Sequence, residues 1–206
     1  MSRILGTRVP ARFPSDDGPV RAILFGEAPG PRGADKSGIP FFGDRAGRPV
    51  YGALALAGMC EIVRDGQRVA LDTLPWDGEK LVAFGAEPVL RGAALSNAYD
   101  VCPTDDGHSF RAPSRAELAS PANVARLERE VGRAIDAGLE VVVTLGRAAD
   151  SAIGTMLGLR DIPILRYETV RHPSAQALLF ARDRRGRGLG EMEDAWMREL
   201  VKMLKG

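Results

Sequence analysis

Four side chains suited to binding and cleaving a small polar molecule each lie at a distinctive point of the sequence. Glu27 is the only carboxylate in the glycine-rich turn 26–30, whose backbone amides can point into a pocket. Phe41 lies in a loop rich in Gly and Pro, Asn97 follows a short apolar run, and His172 precedes a proline. A carboxylate can activate water, and an imidazole can support negative charge on a leaving group.

Each of these residues also has a purely structural interpretation. Glu27 fits an exposed position in a strand-ending turn, Asn97 fits a turn cap, and His172 fits a hydrogen-bonded structural histidine. Of the adjacent pair Phe41 and Phe42, one is expected to pack in the core, which leaves the other to stack on a planar ligand. The residues taken singly leave these alternatives open.

The elements that must position these side chains follow from apolar patterning. Short apolar runs predict four strands, at residues 20–25, 95–99, 140–146 and 163–170. Amphipathic spacing predicts helices whose buried faces contain Val124, Leu127, Val131 and Ile135 and, near the end of the chain, Met192, Trp196 and Leu200. We therefore predict an α/β fold of three αβα layers around a central four-stranded, mostly parallel sheet. Such sheets bind ligands beyond the carboxyl ends of their strands.

Length and charge bound the organisation of the chain. Its 206 residues, 45% of them hydrophobic, predict one domain over 1–206, with a turn-rich insertion at about 63–94. A net charge of +1 means that any affinity for nucleic acid must come from a local patch. Arg182, Arg184, Arg185 and Arg187 form one candidate patch, although a solvated charge run is the alternative. Because no signal peptide or membrane span is apparent, we expect a soluble, cytoplasmic monomer that binds no membrane.

Taken together and in order, these motifs resemble the uracil-DNA glycosylase superfamily, and most closely its family 4. The resemblance is carried by Gly-Glu-Ala-Pro-Gly at 26–30, Pro-Phe-x-Gly at 40–43, Asn97, the Leu-Gly strand end at 145–146 and His-Pro-Ser at 172–174. Residues 29–41 also resemble the corresponding loop of the single-strand-selective monofunctional branch. The similarity extends from about residue 20 to 178 and skips the predicted insertion.

The resemblance implies a role for each matching residue. Glu27 would position or activate water, Phe41 would stack on an extruded base, and His172 would stabilise the leaving uracil anion. Asn97 would read the base edge, donating to O4 and accepting from N3–H, which cytosine cannot match. The implied base-binding and DNA-binding sets are completed by Gly26, Ala28, Gly30, Ser174, Gln176, Leu178, Arg182, Arg184 and Arg185. Gln176 or Leu178 would fill the space left in the duplex.

Departures from the family set the remaining expectations. Family 4 enzymes bind an iron-sulfur cluster through four cysteines, whereas this chain has only Cys60 and Cys102, so we predict no cluster, no metal and no cofactor. The loop after the first motif lacks the histidine of the covalently trapped branch, so ordinary hydrolysis is expected. In the best-known uracil glycosylases, the fifth residue of the first motif is a tyrosine that blocks the thymine methyl, and here it is Gly30, which leaves base specificity open. The expected partner is DNA containing uracil or another deaminated base. The alternatives are a glycosylase for hypoxanthine or xanthine and a catalytically silent DNA-binding module.

Overall fold

A four-stranded parallel sheet forms the centre of the chain in the computed structural model, which describes residues 3–15, 18–160, 166–181 and 183–206. The strands are β1 (Val20–Gly26), β2 (Cys60–Arg64), β3 (Gln67–Arg68), β4 (Glu87–Leu90), β5 (Gly92–Asn97), β6 (Val141–Leu145) and β7 (Arg166–Val170). The helices are α1 (Ala34–Ser37), α2 (Gly47–Leu56), α3 (Gly78–Phe84), α4 (Arg115–Leu118), α5 (Pro121–Asp136), α6 (Arg147–Arg160), α7 (Ala175–Leu179) and α8 (Leu189–Lys205).

The order of the central sheet is β5-β1-β6-β7, and every neighbouring pair is parallel. Because side chains alternate across a strand, the two faces of β1 enter two separate cores. Leu24 packs in the core that contains α2 and α8, whereas Ile23 and Phe25 pack against α5 and α6. The predicted three-layer α/β fold with a four-stranded parallel sheet is therefore confirmed.

The four strands of the central sheet lie where the sequence predicted them, but their first and last residues differ from the prediction. The second predicted strand, 95–99, begins earlier in the structure and ends at Asn97. Its first residues, Gly92 to Ala94, are small, so they lack the bulky apolar run that marks a strand in a sequence. The last strand covers Arg166–Val170, and the first part of its predicted range, 163–165, lies outside the described residues.

The predicted helices on either side of the sheet are present. Ser120 caps α5 by accepting a hydrogen bond from the backbone N–H of Asn123 at 3.4 Å, and proline occupies the first helical position. Ile135 is 36% exposed, and the neighbouring Ala134 is buried in its place. Trp196 and the other predicted core residues of α8 are buried. No described helix combines the length and apolar character needed to cross a membrane.

A second sheet of three antiparallel strands, in the order β3-β2-β4, begins at Cys60, just before the predicted insertion, and ends within it. The end of the predicted insertion overlaps β5 of the central sheet, which begins at Gly92. Leu74, Leu81 and Leu90 from the predicted insertion join the same core as α2 and α8. The region therefore packs directly on the main body, next to the loop that precedes α2. The division of the chain into one domain with an insertion stays a prediction.

Candidate active site

A cavity of about 250 Å³ opens at the carboxyl ends of the central strands. Its lining comes from the ends of β1 and β6, from the loops that follow β1 and β7, from the segment that leads into α2, and from Phe110. Glu27, Phe41 and His172 all line it, so the structure brings together three residues that are up to 145 positions apart in the sequence. Gly26, Ala28 and Gly30 line it as well.

Asn97 does not line this cavity, but the register of the sheet places it directly beside two residues that do, Gly26 and Phe41. Gly26 and Asn97 are direct partners in the parallel pairing of β1 and β5. A Cβ on Gly26 would lie 2.6 Å from Oδ1 of Asn97 and 2.5 Å from Cε1 of Phe41, so only glycine fits between them. Asn97 is 1% exposed, and neither atom of its amide has a hydrogen-bond partner within the described protein. Since unpaired buried amides are costly, this group is poised for a partner from outside the chain.

The carbonyl groups at the end of β5 are held by a partly buried arginine. Nη2 of Arg126 donates to the backbone oxygens of Asn97 at 3.0 Å and Ala98 at 3.1 Å. The same guanidinium forms an ion pair with Glu130 at 2.7 Å. These contacts fix the backbone of Asn97 without using its amide.

The two adjacent phenylalanines have different surroundings. Phe42 is buried, with its ring edge-on to Tyr51 at 5.4 Å and to Trp76 at 6.3 Å. Phe41 has a positive φ of 63°; its ring lines the cavity and also packs against the edge of the core that contains Phe42. Gly47 permits this turn, because a Cβ there would lie 1.8 Å from the backbone oxygen of Phe41. The stacking role of Phe41 stays a prediction.

Burial shifts both candidate catalytic groups toward their neutral forms. Glu27 is half-buried, and desolvation raises its pKa above the ordinary 4.5. Desolvation lowers the pKa of His172 below 6.5. The backbone N–H of Ser174 donates to Nδ1 of His172 at 3.2 Å, so in the neutral ring the proton is on Nε2. His172 can therefore donate a hydrogen bond from Nε2.

Asp44 is a cavity residue that the sequence reasoning missed. Its carboxyl accepts a hydrogen bond from the backbone N–H of Ala34 at 3.2 Å and also interacts with the amides of Gly30 and Gly33. Desolvation nevertheless dominates and raises the pKa of Asp44 to about 6. Asp44 directly follows the Pro-Phe-x-Gly motif, and that position is the only signal that could have identified it.

The helix after His-Pro-Ser requires one correction. Leu178 was predicted as a residue that fills space in a DNA duplex, but it is 1% exposed and packs in the main core, which is the one that contains α2 and α8. A side chain in that position cannot enter a duplex. Gln176 is exposed, and Ser174 caps α7 through a hydrogen bond from the N–H of Ala177 at 3.3 Å. Two residues beyond Leu178, Phe180 is 84% exposed.

Part of the arginine patch forms hydrogen bonds within its own loop. Nε of Arg184 donates to the backbone oxygen of Arg187 at 2.7 Å, whereas Arg185 is exposed. Arg182 lies outside the described residues. Two further arginines, both missed by the sequence reasoning, are exposed beside the site: Arg45 lines the cavity, and Arg147 lines a neighbouring one of about 580 Å³ that shares His172.

The two cysteines do not fit an iron-sulfur cluster. Both thiols are buried, and desolvation raises the pKa of Cys60 and of Cys102 to about 12, which disfavours the thiolate that binds metal. Two thiols are also too few for a four-thiolate cluster. Within the described residues, no three His, Cys, Asp or Glu side chains are grouped so that they could hold a metal ion.

Comparison with known proteins finds the same fold in a solved structure. No protein-family model matches the chain, and no curated protein matches it. Among solved structures, the chain is similar to the crystal structure of wild-type SMUG2 from Pedobacter heparinus, a member of the uracil-DNA glycosylase superfamily. The TM-score is 0.51 at 13% identity, and the match covers 91% of this chain and 77% of that one. At this identity the similarity shows a shared fold.

Proposed function

We propose that this protein is a monofunctional DNA glycosylase that extrudes uracil from DNA and hydrolyses its N-glycosidic bond. The observation that carries the proposal is the unpaired, buried amide of Asn97 beside Gly26 and Phe41. An amide that can donate to O4 and accept from N3–H matches uracil, and it mismatches cytosine at both atoms. The similarity in fold to SMUG2 supports the proposal.

The cavity has the size for one base. Its volume of about 250 Å³ is below the ~300–1,000 Å³ of sites for drug-sized ligands. A base inside a duplex cannot reach such a cavity, so the nucleotide must rotate out of the stack, which costs a few kcal/mol. We therefore expect single-stranded or mispaired uracil to be the better substrate.

The charges that develop during cleavage match the cavity. Breaking the bond between C1′ and N1 leaves positive charge on the sugar and negative charge on the base. The Nε2–H of His172 donates a hydrogen bond to O2 of the departing base. The neutral imidazole already has this proton, so His172 does not have to be protonated first. Gly146, at the start of α6, packs against His172, so the positive end of that helix also favours the anion. Glu27 orients and activates the attacking water.

The absence of an amine nucleophile indicates hydrolysis. No lysine is present among the described residues that line the cavity, so a Schiff base has no amine from which to form. The abasic site should therefore be left intact, with no strand cleavage by the protein.

The surface around the cavity can guide DNA. Arg45 and Arg147 are exposed beside it and are suited to phosphate contacts, together with Arg185. Phe180 lines the neighbouring cavity with His172, and its ring is free to enter the space left by the extruded base. We assign to Phe180 the role that the sequence had given to Gln176 or Leu178.

The test is base release from oligonucleotides that contain one uracil, hypoxanthine or xanthine, followed by alkaline cleavage of the abasic site. Native protein should release uracil, and Glu27→Gln, Asn97→Ala and His172→Ala should each slow release by about 100-fold or more. His108→Ala is the matched control, because His108 is the other histidine of the chain and does not line this cavity. Tight binding without release would instead favour a silent DNA-binding module, and release of hypoxanthine alone would favour a deaminated-purine glycosylase.

A further inference from the structure

Two consecutive peptide groups at the end of β5 are each hydrogen-bonded at both ends. On one side, the backbone N–H of Ala98 donates to the oxygen of Gly26 at 2.7 Å, and the next N–H along the chain donates to the oxygen of Glu27 at 3.0 Å. On the other side, the backbone oxygens of Asn97 and Ala98 accept from Nη2 of Arg126. The backbone that carries Asn97 is therefore joined both to the turn that carries Glu27 and to helix α5.

Arg126 is itself held by other side chains of α5. Its Nη1 donates to both carboxylate oxygens of Glu130, at 2.7 and 2.9 Å, and its Nη2 donates to Oδ1 of Asn123 at 2.8 Å. Asn123 also contacts the end of β5 directly, because its Nδ2 donates to the backbone oxygen of Ala98 at 2.9 Å. The side chains of Arg126 and Glu130 are each 11% exposed, so little water competes for these bonds. Helix α5 thus presents fixed donors to the end of β5.

These bonds matter because the amide of Asn97 is in an unfavourable state. Neither of its atoms has a hydrogen-bond partner within the described protein, although the residue is 1% exposed. An unpaired buried amide is costly, so a backbone that could shift would turn this amide toward a partner inside the protein. Two peptide groups held at both ends resist that shift. The amide then stays unpaired until a ligand binds.

We propose that Arg126 is a positioning residue, which fixes the peptide groups of Asn97 and Ala98 and so keeps the Asn97 amide available to the base. This inference rests on the proposed function. Arg126 does not line the cavity, so it acts on the reaction only through Asn97. Its effect on base release should therefore disappear once the amide of Asn97 has been removed.

The test variant is Arg126→Lys. Lysine keeps a positive charge beside Glu130, so no buried carboxylate loses its partner. Its compact ammonium group lacks the planar fork of arginine and cannot reach Glu130, Asn123 and two backbone oxygens together. Arg129→Lys is the matched control, because Arg129 lies on the same helix and is exposed.

The first measurement is the single-turnover rate of uracil release from a single-stranded oligonucleotide. Arg126→Lys should slow release by about ten-fold in the native background and by about two-fold or less in the Asn97→Ala background. Arg129→Lys should leave the rate unchanged in both. Asn123→Ala, which removes the other side-chain bond to Ala98, should give the same pattern with a smaller effect, and it serves as the test variant if Arg126→Lys does not fold.

The second measurement is the urea midpoint of unfolding, which does not depend on any reaction. It is determined for the native protein, Asn97→Ala, Arg126→Lys and the double variant. In the native background, Asn97→Ala removes an amide that has no partner, so it should lower the midpoint little. In the Arg126→Lys background, the amide can turn to partners within the protein. Asn97→Ala should therefore lower the midpoint further there than in the native background.

Three outcomes would overturn the proposal. The first is an unchanged rate in Arg126→Lys, and the second is an equal slowing in the native and Asn97→Ala backgrounds, which would make Arg126 only a support for the fold. The third is a midpoint change on Asn97→Ala that is equal in the two backgrounds, or smaller with lysine. If the native protein releases no base, the proposed function fails, while the unfolding midpoints still test whether Arg126 keeps the amide unpaired.

Discussion

Replacing Asp44 with asparagine should change how the stability of the protein depends on pH. Desolvation raises the pKa of Asp44 from the ordinary 3.8 to about 6, against the opposing effect of three backbone amides. The folded protein therefore binds this proton more tightly than the unfolded chain does. The resulting stabilisation is fully present below pH 3.8 and is lost as the pH rises through about 6.

The size of the effect follows from the two pKa values. The difference between about 6 and 3.8, at 1.36 kcal/mol for each pKa unit, is about 3 kcal/mol. About 2 kcal/mol of this amount falls between about pH 4.5 and pH 8. Asparagine resembles the protonated acid and does not titrate. The free energy of unfolding of Asp44→Asn, relative to that of the native protein, should therefore rise by about 2 kcal/mol over this range.

Urea unfolding followed by tryptophan fluorescence at the two pH values measures this quantity. Trp76 and Trp196 are the only tryptophans, and both contact the main core. A contact that the asparagine amide makes or loses changes the free energy of unfolding equally at both pH values. Such a contact therefore cancels when the variant-minus-native differences at the two pH values are compared. A variant-minus-native difference that stays constant, or that falls as the pH rises, would refute the conclusion that desolvation dominates at Asp44.

Three further predictions concern activity and composition. Phe180→Ala should slow uracil release from duplex DNA by about ten-fold and from single strands much less, because only the duplex has a gap to fill; equal losses would contradict this role. The single-turnover rate should fall at acid pH, because water must be activated by the ionised form of Glu27. Measured in Asp44→Asn, which removes the second titrating acid, this fall should have its midpoint above the ordinary glutamate pKa of 4.5, since burial raises the pKa of Glu27. A fall that persists in the Asp44→Asn, Glu27→Gln double variant would exclude this assignment. Protein purified without oxygen should contain no stoichiometric iron, and a brown protein with visible absorption would show that the two-cysteine argument is wrong.

The sheet was predictable because its signal is local. Val141–Leu145 is an apolar run interrupted only by Thr144, of the kind that a strand buried on both faces requires, and Ser120-Pro121 marks a helix start by backbone chemistry alone. Once the strands were placed in a parallel sheet, their carboxyl ends had to meet at one edge. That step alone predicted that Glu27 and His172 would lie near each other.

The phase of a short helix was not predictable in the same way. Leu178 and Phe180 are two positions apart, so they project in different directions, and the sequence does not say which one faces the core. Five residues of helix give too little periodicity to decide. Only packing against α8 buries Leu178 and leaves Phe180 exposed.

Glycine was the residue type most open to misinterpretation, because it can make room for a ligand or for another part of the protein. At Gly47 the room is taken by the backbone oxygen of Phe41, and at Gly146 by Cβ of His172, which a Cβ would approach to 2.9 Å. Gly30 belongs with them, since its vacant side is filled by Asp44. The sequence separates Gly30 from Asp44 by 14 positions and gives no sign that they touch. A glycine in place of a bulky residue therefore does not by itself widen a cavity, because another side chain can fill the vacant space, as the Asp44 carboxyl does beside Gly30.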